Sequence, residues 1–241
     1  MSGVPALVVA GPGTNRDRDL ALALEMAGAD PAIVLASDLI ARPDLLDDAR
    51  LVAVAGGFSY RDALGAGNML ALDLRVGLGA ALEAFVATGR PMIGICNGFQ
   101  VLTRTHLLPG ALGHNDHGRF DCRWVTLEPQ PSVCLWTRDI DDPIDCPIAH
   151  GEGRYVHPDP AGLAASGQVV LRYAGANPNG SVDAIAGVCN AAGNVLGLMP
   201  HPENHVLARQ HPNAGLDADL DPERHLGLRI FRNGVAAAAE M

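Results

Sequence analysis

The sequence is poor in positive charge and has no lysine- or arginine-rich segment. It contains 17 Lys+Arg against 27 Asp+Glu, which gives a formal net charge of −10. Binding to a phosphate backbone depends on clustered positive charge. The composition therefore argues against nucleic acid as a partner.

Long apolar runs are also missing. No stretch approaches the roughly 20 apolar residues that a membrane-spanning helix needs. Residues 1–10, MSGVPALVVA, lack the basic segment and the long apolar segment of a secretion signal. We therefore expect no association with a membrane and a cytoplasmic location.

Cysteine is scarce and is not paired in motifs. The five cysteines are widely spaced and include no CxxC pair. This spacing supports neither a disulfide framework nor a zinc site. The chain also has no phosphate-binding P-loop motif and no cluster of metal-ligating residues. We expect it to bind no metal and no cofactor of its own.

The composition is that of a folded protein with a large core. Apolar residues make up 48% of the 241 residues, and no Ser/Gly/Pro-rich tract or charge run divides the chain. A chain of this length can form one large α/β unit. We predict a single domain over residues 1–241.

The first half alternates short apolar runs with segments of helical periodicity. Continuous β-rich runs are typical of strands that are covered on both faces by helices, as in a parallel, doubly wound sheet. The predicted elements are strands at 6–10, 32–36, 51–55 and 91–96, and helices near 17–27 and 69–88. Ligands in such sheets bind beyond the carboxyl ends of the strands, so the loops at 11–15, 56–62 and 96–100 lie on the predicted functional edge.

From about residue 122 the pattern changes to successive β-like segments with turn-rich connections. These segments predict added antiparallel strands at 122–128, 168–174, 182–190 and 194–199. The chain is predicted to close with a helix from Asp221-Pro222 to about Ala239, with Leu226, Ile230 and Val235 on one apolar stripe. The predicted fold class is α/β: a doubly wound, mostly parallel sheet with helices on both faces and added antiparallel strands.

The segment PMIGICNGFQVL places a cysteine between a buried strand and the following helix. Gly94 lies two residues before Cys96 and Gly98 two residues after it. This is the spacing of a nucleophile elbow, in which glycines make room for a tight turn. The positive end of a helix favours a thiolate, which is the nucleophilic form of cysteine. By itself, the pattern also matches buried structural cysteines.

A candidate base follows another apolar run. In MPHPEN, His201 and Glu203 are two residues apart, and Pro202 holds the backbone between them. A carboxylate in this position can fix the tautomer of the imidazole while the other ring nitrogen faces the thiolate. Taken alone, the segment could be a polar turn. Together with the elbow, it predicts a Cys96, His201 and Glu203 triad at the edge of one sheet.

Gly56-Gly57, after the strand at 51–55, supplies a third element. Acyl transfer generates an oxyanion, which backbone N–H groups can stabilise. A glycine loop beside Asn97 can provide two such donors. Without the other two motifs, the same loop could be an ordinary turn.

Several of these segments together resemble a known family. GGFSYRD, GICNGFQVL, HGEGRY, NPNGS and GNVLGLMPHPE occur in order over most of the chain. The set is similar to the glutaminase subunit of phosphoribosylformylglycinamidine synthase, a class I, triad-type glutamine amidotransferase with a flavodoxin-like fold. GICNGFQ and MPHPE indicate the broad class, and GGFSY and HGEGRY point to this synthase.

The resemblance implies a function and a set of site residues. Cys96 is the implied nucleophile, with His201 and Glu203 as its catalytic partners. The amides of Gly57 and Asn97 are the implied oxyanion donors, and Gln100 lies near the bound glutamine. The subunit would hydrolyse L-glutamine to glutamate and ammonia through a cysteine thioester.

The same resemblance implies partners. The ammonia would pass to a synthase subunit, possibly with a small accessory subunit, that makes formylglycinamidine ribonucleotide in de novo purine biosynthesis. ATP and Mg would be bound by that synthase, and this chain would carry no cofactor.

The sequence departs from the family pattern in two places. Arg61 stands where the family usually has a glycine, and Ala63-Leu64-Gly65 follows in place of a Tyr-Leu-Arg stretch. Arg16 stands where the family often has a cysteine outside the triad. The first departure affects the shape of the loop and its contact with a partner. Neither departure removes a triad residue.

Three alternatives remain open. The chain could be the glutaminase of another ligase pathway or a DJ-1/PfpI-like cysteine hydrolase, which also carries a cysteine at an elbow. The HPE motif and Gln100 argue against the second. A non-catalytic partner subunit would have no need for an intact triad.

Overall fold

A computed structural model describes residues 3–214 and 225–241. Its first half alternates strands and helices, which confirms the predicted βα pattern. In chain order the elements are β1 (Val4–Ala10), α1 (Asp17–Met26), β2 (Ala29–Leu35), α2 (Ala36–Ala41), α3 (Leu45–Asp48), β3 (Leu51–Val54), α4 (Asn68–Ala87), β4 (Met92–Ile95) and α5 (Asn97–Arg104). The sequence analysis did not predict the short helices α2 and α3.

The second half is mainly β-structure with two helices. The elements are β5 (Ala111–Gly113), β6 (Asp121–Pro129), β7 (Ile144–His150), β8 (Arg154–Val156), α6 (Pro160–Ala165), β9 (Val169–Tyr173), β10 (Ile185–Cys189), β11 (Val195–Leu198) and α7 (Leu228–Ala239). The four predicted segments correspond to β6, β9, β10 and β11. The third of them begins later than predicted, because residues 182–184 form a 3-10 turn before the strand.

The closing helix is shorter than predicted. It begins at Leu228, and residues 225–227 lie outside it. Their backbone bonds to neighbouring segments instead: the N–H of Gly227 donates to the carbonyl of His205, and the carbonyl of His225 accepts from Asp145. The predicted cap at Asp221-Pro222 lies outside the described residues. The predicted stripe is buried as expected, at Leu226, Ile230 and Val235.

One nine-stranded sheet forms the centre of the fold, in the order β2-β1-β3-β4-β11-β10-β9-β6-β7. The pairs from β2 to β11 are parallel. The pairs from β11 to β7 are antiparallel. The predicted combination of a parallel sheet with added antiparallel strands is confirmed, and half of the pairings between the described strands of this sheet are parallel. Strand β11, which was predicted among the antiparallel strands, pairs parallel with β4 on one side and antiparallel with β10 on the other. The carboxyl ends of β1, β3, β4 and β11 meet at one edge.

Helices cover the parallel part in two groups. Helix α4 packs with both α2 and α5, and α1 packs with α7, which also contacts β1 and β3. All four residues of β3 and of β4 are buried. Strands covered in this way consist of apolar residues without alternation, which is why their sequences could be recognised. Within the described ranges, no helix combines the length and the apolar character needed to cross a membrane.

The antiparallel half curls back toward the carboxyl edge of the parallel half. Five strand-to-strand steps separate β4 from β7, which would be about 24 Å in a flat sheet. Yet the carbonyl oxygen of Ala149, in β7, lies 4.0 Å from Sγ of Cys96, directly after β4. The carbonyl of Pro147, also in β7, accepts from the N–H of His201 at 2.9 Å. This curl encloses the carboxyl edge and makes a cavity there.

Candidate active site

Cys96 lies in a tight turn between β4 and α5, with φ 51° and ψ −103°. A non-glycine residue with positive φ is strained, and such strain concentrates at functional sites. Neither flanking glycine position has room for a side chain. A methyl group on Gly94 would lie 2.6 Å from the carbonyl oxygen of Gly98, and one on Gly98 would lie 2.0 Å from that of Val54. The turn holds Cys96 at the carboxyl edge of the sheet, beside the first turn of α5.

His201 and Glu203 follow β11 at the same edge. Nδ1 of His201 lies 2.6 Å from Oε1 of Glu203, and both side chains are buried, with exposures of 4% and 0%. Because the carboxylate can only accept, Nδ1 carries the proton and Nε2 is left to face the cysteine. The other oxygen of Glu203, Oε2, has no hydrogen-bond partner among the described residues.

The three side chains form one electrostatic unit. Burial lowers the pKa of His201, but the negative charges of Glu203 and Cys96, together with hydrogen bonds to both, raise it to about 10. His201 is therefore an imidazolium at neutral pH when Cys96 is ionised. An imidazolium beside the sulfur can donate a proton without a further rearrangement.

Gly56 lies against both members of this pair. A methyl group on Gly56 would lie 3.1 Å from Cε1 of His201 and 3.5 Å from Cβ of Cys96. The sequence analysis assigned Gly56 only to a flexible loop. The structure adds a second reason for glycine, since the space that a side chain would need is occupied by the candidate nucleophile and base.

We predict that Gly56→Ala lowers the kcat of the enzyme about tenfold, because the methyl group would displace the imidazole by a few tenths of an ångström and small misplacements of reacting groups cost about 10²-fold per ångström. Steady-state kinetics would measure the effect. Gly79→Ala is the matched control, because a methyl group on Gly79, in α4, meets nothing within 4 Å. Equal kcat values for the two variants would contradict the prediction.

Gly57 lies where the loop after β3 meets the loop after β1. Its φ is +128°, and a methyl group there would lie 2.6 Å from both the backbone nitrogen and the side-chain oxygen of Asn15. An isolated bridge pairs Gly57 with Thr14. Asn97 supplies the first N–H of α5, which has no acceptor within its own helix. The two predicted oxyanion residues thus flank the turn that carries Cys96.

A chain of hydrogen bonds between buried side chains supports the turn. Oγ of Ser59 donates to Oδ1 of Asn97 at 2.6 Å, Nδ2 of Asn97 donates to Oε1 of Gln100 at 2.9 Å, and Nε2 of Gln100 donates to the carbonyl of Glu152 at 2.7 Å. The side-chain amide of Asn97 therefore forms hydrogen bonds within the protein, to Ser59 and Gln100. Ser59 and Glu152 were not among the predicted site residues, although both lie in motifs, GGFSY and HGEGRY, that the sequence analysis had identified.

A cavity of about 240 Å³ opens above Cys96, and we call it the Cys96 cavity. It brings Cys96 together with two of the predicted substrate residues, Gly57 and Gln100. Its other lining residues are Phe58, Asp62, Ala66, His114, Gly118, Arg119, Phe120, Ala149, His150, Gly151 and Glu152.

Charged groups of both signs line the Cys96 cavity. Burial raises the pKa of Asp62, and the nearby charge of Glu152 raises it further. Arg119 provides a guanidinium. Among the described residues, no group of three or more His, Cys, Asp or Glu side chains could hold a metal ion. A cavity with both signs of charge and a reactive sulfur suits a zwitterionic amino acid.

Residues 4–236 match the model of a protein family, the CobB/CobQ-like glutamine amidotransferase domain. Curated proteins called phosphoribosylformylglycinamidine synthase subunit PurQ are similar over nearly their whole length. The protein from Treponema denticola is 44% identical, with 95% of this chain and 97% of the relative covered. The one from Dehalococcoides mccartyi is 38% identical, with both chains covered completely.

A solved structure is similar as well. A chain of the PurLQS structure from Thermotoga maritima superposes with a TM-score of 0.78 at 38% identity, covering 97% of this chain and 98% of that one. The agreement in sequence and in fold extends over both the parallel and the antiparallel half of the sheet. This chain belongs to the family of glutamine amidotransferases that contains the PurQ subunits of phosphoribosylformylglycinamidine synthase.

Proposed function

We propose that this chain is the glutaminase subunit of a phosphoribosylformylglycinamidine synthase. It hydrolyses L-glutamine to glutamate and ammonia, and the ammonia passes to a synthase subunit that makes formylglycinamidine ribonucleotide in de novo purine biosynthesis. The main support from the site is the buried 2.6 Å bond between His201 and Glu203, together with the nearby charge of Cys96, which raises the pKa of His201. This is a nucleophile, a base and a group that orients the base.

In the first half-reaction, Sγ of Cys96 attacks the carboxamide carbon of glutamine and forms a C–S bond. Negative charge moves to the carboxamide oxygen, where the N–H groups of Gly57 and Asn97 would stabilise it. The C–N bond then breaks as Nε2 of His201 gives its proton to the leaving nitrogen. The products are ammonia and a thioester between Cys96 and the glutamyl group.

In the second half-reaction, His201 is neutral and takes a proton from water. The hydroxyl oxygen attacks the thioester carbon, and the same N–H groups stabilise the oxyanion. The C–S bond breaks, glutamate leaves, and the Cys96 thiolate is restored beside the His201 imidazolium. Glu203 holds the proton on Nδ1 and stabilises the imidazolium in both states.

The rest of the reaction belongs to partner subunits. We propose that a PurL-type synthase binds ATP and Mg and accepts the ammonia, with a small accessory subunit as in the PurLQS assembly, and that this chain needs no cofactor. A cytoplasmic location is part of the same proposal. Nucleic acid and membranes have no role in it.

The loop between Gly56 and Gly67 is the proposed point of control. Tyr60, Arg61 and Asp62 all have φ values near +54°, and Leu64 has φ 63°. Left-handed backbone costs roughly 1–2 kcal/mol per non-glycine residue, so the loop is strained. Strain of this kind favours a second conformation that a partner can select. The loop also carries Gly57, so its rearrangement would move an oxyanion donor.

We predict that the isolated chain turns glutamine over slowly and that the synthase with its ligands raises kcat about 10²- to 10³-fold, since that is the effect of one oxyanion donor. Ammonia release should be measured for the chain alone and in complex. The complex containing Cys96→Ala gives the background rate.

Equal rates alone and in complex would refute control by the loop and leave the chemistry of Cys96 intact. Stimulation by the synthase of a different ligase pathway, and not by this one, would refute the assignment to purine biosynthesis.

A further inference from the structure

One buried histidine of the Cys96 cavity has no place in the mechanism above. His150 is the last residue of β7 and is only 3% exposed. It lines the Cys96 cavity. The residue before it, Ala149, places its carbonyl 4.0 Å from Sγ of Cys96. The end of β7 thus runs beside the candidate nucleophile.

The neighbours of His150 determine which ring nitrogen carries the proton. Nδ2 of Asn115 donates to the carbonyls of Arg119 and His150, both at 2.9 Å. Oδ1 of Asn115 must then be an acceptor, and it accepts from the N–H of Gly153 at 3.0 Å. Nδ1 of His150 lies 3.1 Å from the same oxygen. It must therefore be the protonated nitrogen.

The other ring nitrogen is an unused acceptor. Nε2 of His150 is buried and has no hydrogen-bond partner among the described residues. Burial, and next the charge of His201, lower the pKa of His150 to about 4; Asp121 acts in the opposite direction, and His117 in the same one. The ring is thus neutral at neutral pH. A neutral imidazole with its proton on Nδ1 presents a lone pair on Nε2.

We propose that Nε2 of His150 accepts a hydrogen bond from the carboxamide N–H of glutamine. This inference rests on the proposed function and adds a specificity-determining residue to it. The two ends of a carboxamide are similar in size, and an acceptor attracts the NH₂ end while it repels the oxygen. His150 therefore sets the direction of the amide, with its oxygen toward the donors at Gly57 and Asn97 and its nitrogen toward His201.

The same contact distinguishes substrate from product. Glutamate has a carboxylate in place of the carboxamide, so it offers no N–H and places an oxygen against the lone pair. Sites with a buried polar group discriminate strongly against ligands that leave the group unpaired. The carboxylates of Asp62 and Glu152, in contrast, suit the cationic ammonium group of the amino acid. His150 supplies a neutral acceptor that suits an uncharged N–H.

Two substitutions of His150 test the roles of its two ring nitrogens separately. In His150→Asn, the side-chain amide can still donate to Asn115, but nothing replaces Nε2. In His150→Gln, the amide reaches the position of Nε2 and restores an acceptor there. Each variant should be assayed in the complex with glutamine and with the γ-methyl ester of glutamate. The ester forms the same thioester and has no carboxamide N–H.

We expect His150→Asn to lower kcat/KM for glutamine about 10- to 100-fold, from the loss of one hydrogen bond to a buried partner. The value of kcat/KM for the ester should be unchanged or higher, because the ester, like glutamate, places an oxygen against the lone pair of Nε2. His150→Gln should recover part of the loss for glutamine. Inhibition by glutamate should become stronger in His150→Asn. The melting temperature and the rate of alkylation of Cys96 would establish that the fold and the Cys96 and His201 pair are intact.

An equal loss for both substrates would overturn the proposal, because the residue would then act on the ammonium group or on the structure. Unchanged kinetics with glutamine in His150→Asn would overturn it as well. Failure of the proposed function would look different, since the unsubstituted complex would then release no ammonia from glutamine at all.

Discussion

Replacing Cys96 with alanine is expected to abolish glutamine-dependent synthesis in the reconstituted complex, while synthesis from added ammonium continues. Only the nitrogen source depends on the thiolate, and without Sγ no thioester can form. The expected fall in the glutamine-dependent rate is several orders of magnitude, as for the loss of other catalytic nucleophiles. Formation of the amidine product from each nitrogen source would measure it.

Cys122→Ala is the matched control for this experiment. Cys122 lies in β6 and is exposed, so its removal should leave both activities unchanged. Loss of the ammonium-dependent activity in Cys96→Ala would mean that the substitution disrupts the complex. Persistence of the glutamine-dependent activity would remove Cys96 from the role of nucleophile.

His201→Ala should have the second-largest effect. General acid and base transfer contributes about 10²- to 10⁴-fold, and loss of the imidazolium beside the sulfur adds to this. The glutamine-dependent kcat of the complex should therefore fall by at least that factor, with the ammonium-dependent rate unchanged. His157→Ala is the control, because His157 is only half-buried and its Nδ1 accepts a local bond from the N–H of Asp159, away from the triad.

Glu203→Gln separates orientation from proton transfer at the same base. The amide oxygen can still accept from Nδ1 of His201, but the negative charge that raises the pKa of His201 is lost. The fall in kcat should be milder than in His201→Ala. A loss as large as that in Cys96→Ala would indicate a more direct role for the carboxylate. An active His201→Ala enzyme would exclude the triad.

The parallel half of the fold could be predicted because its strands are covered on both faces. Leu51–Val54 and Met92–Ile95 are completely buried, so every position is apolar and the run is visible in the sequence. Strand β7 was missed, because Asp145 and Pro147 interrupt its apolar pattern. Proline is tolerated there because β7 is at the edge of the sheet.

The triad could also be inferred from the sequence, since strand ends and motif spacing place its residues at one edge. The contacts of Ser59 and His150 could not, because their partners are 38 and 35 residues away. The departure at Arg61 predicted a change in loop shape. The structure gives this residue φ 54°, a value that glycine adopts more easily. The sequence could show that arginine replaces glycine at position 61, but not the backbone conformation that Arg61 must adopt.

The late position of β11 and His201 in the chain also affects when the sulfur becomes reactive during protein synthesis. By the time residue 96 leaves the ribosome, β1, β3 and β4 have been made, and these three strands are hydrogen-bonded to one another in the sheet. The base comes 105 residues later, and it is held by β11, which must insert between β4 and β10. Such non-local pairings form slowly. A partly translated chain therefore carries the sulfur without its base, and it would release no ammonia before a synthase can receive it.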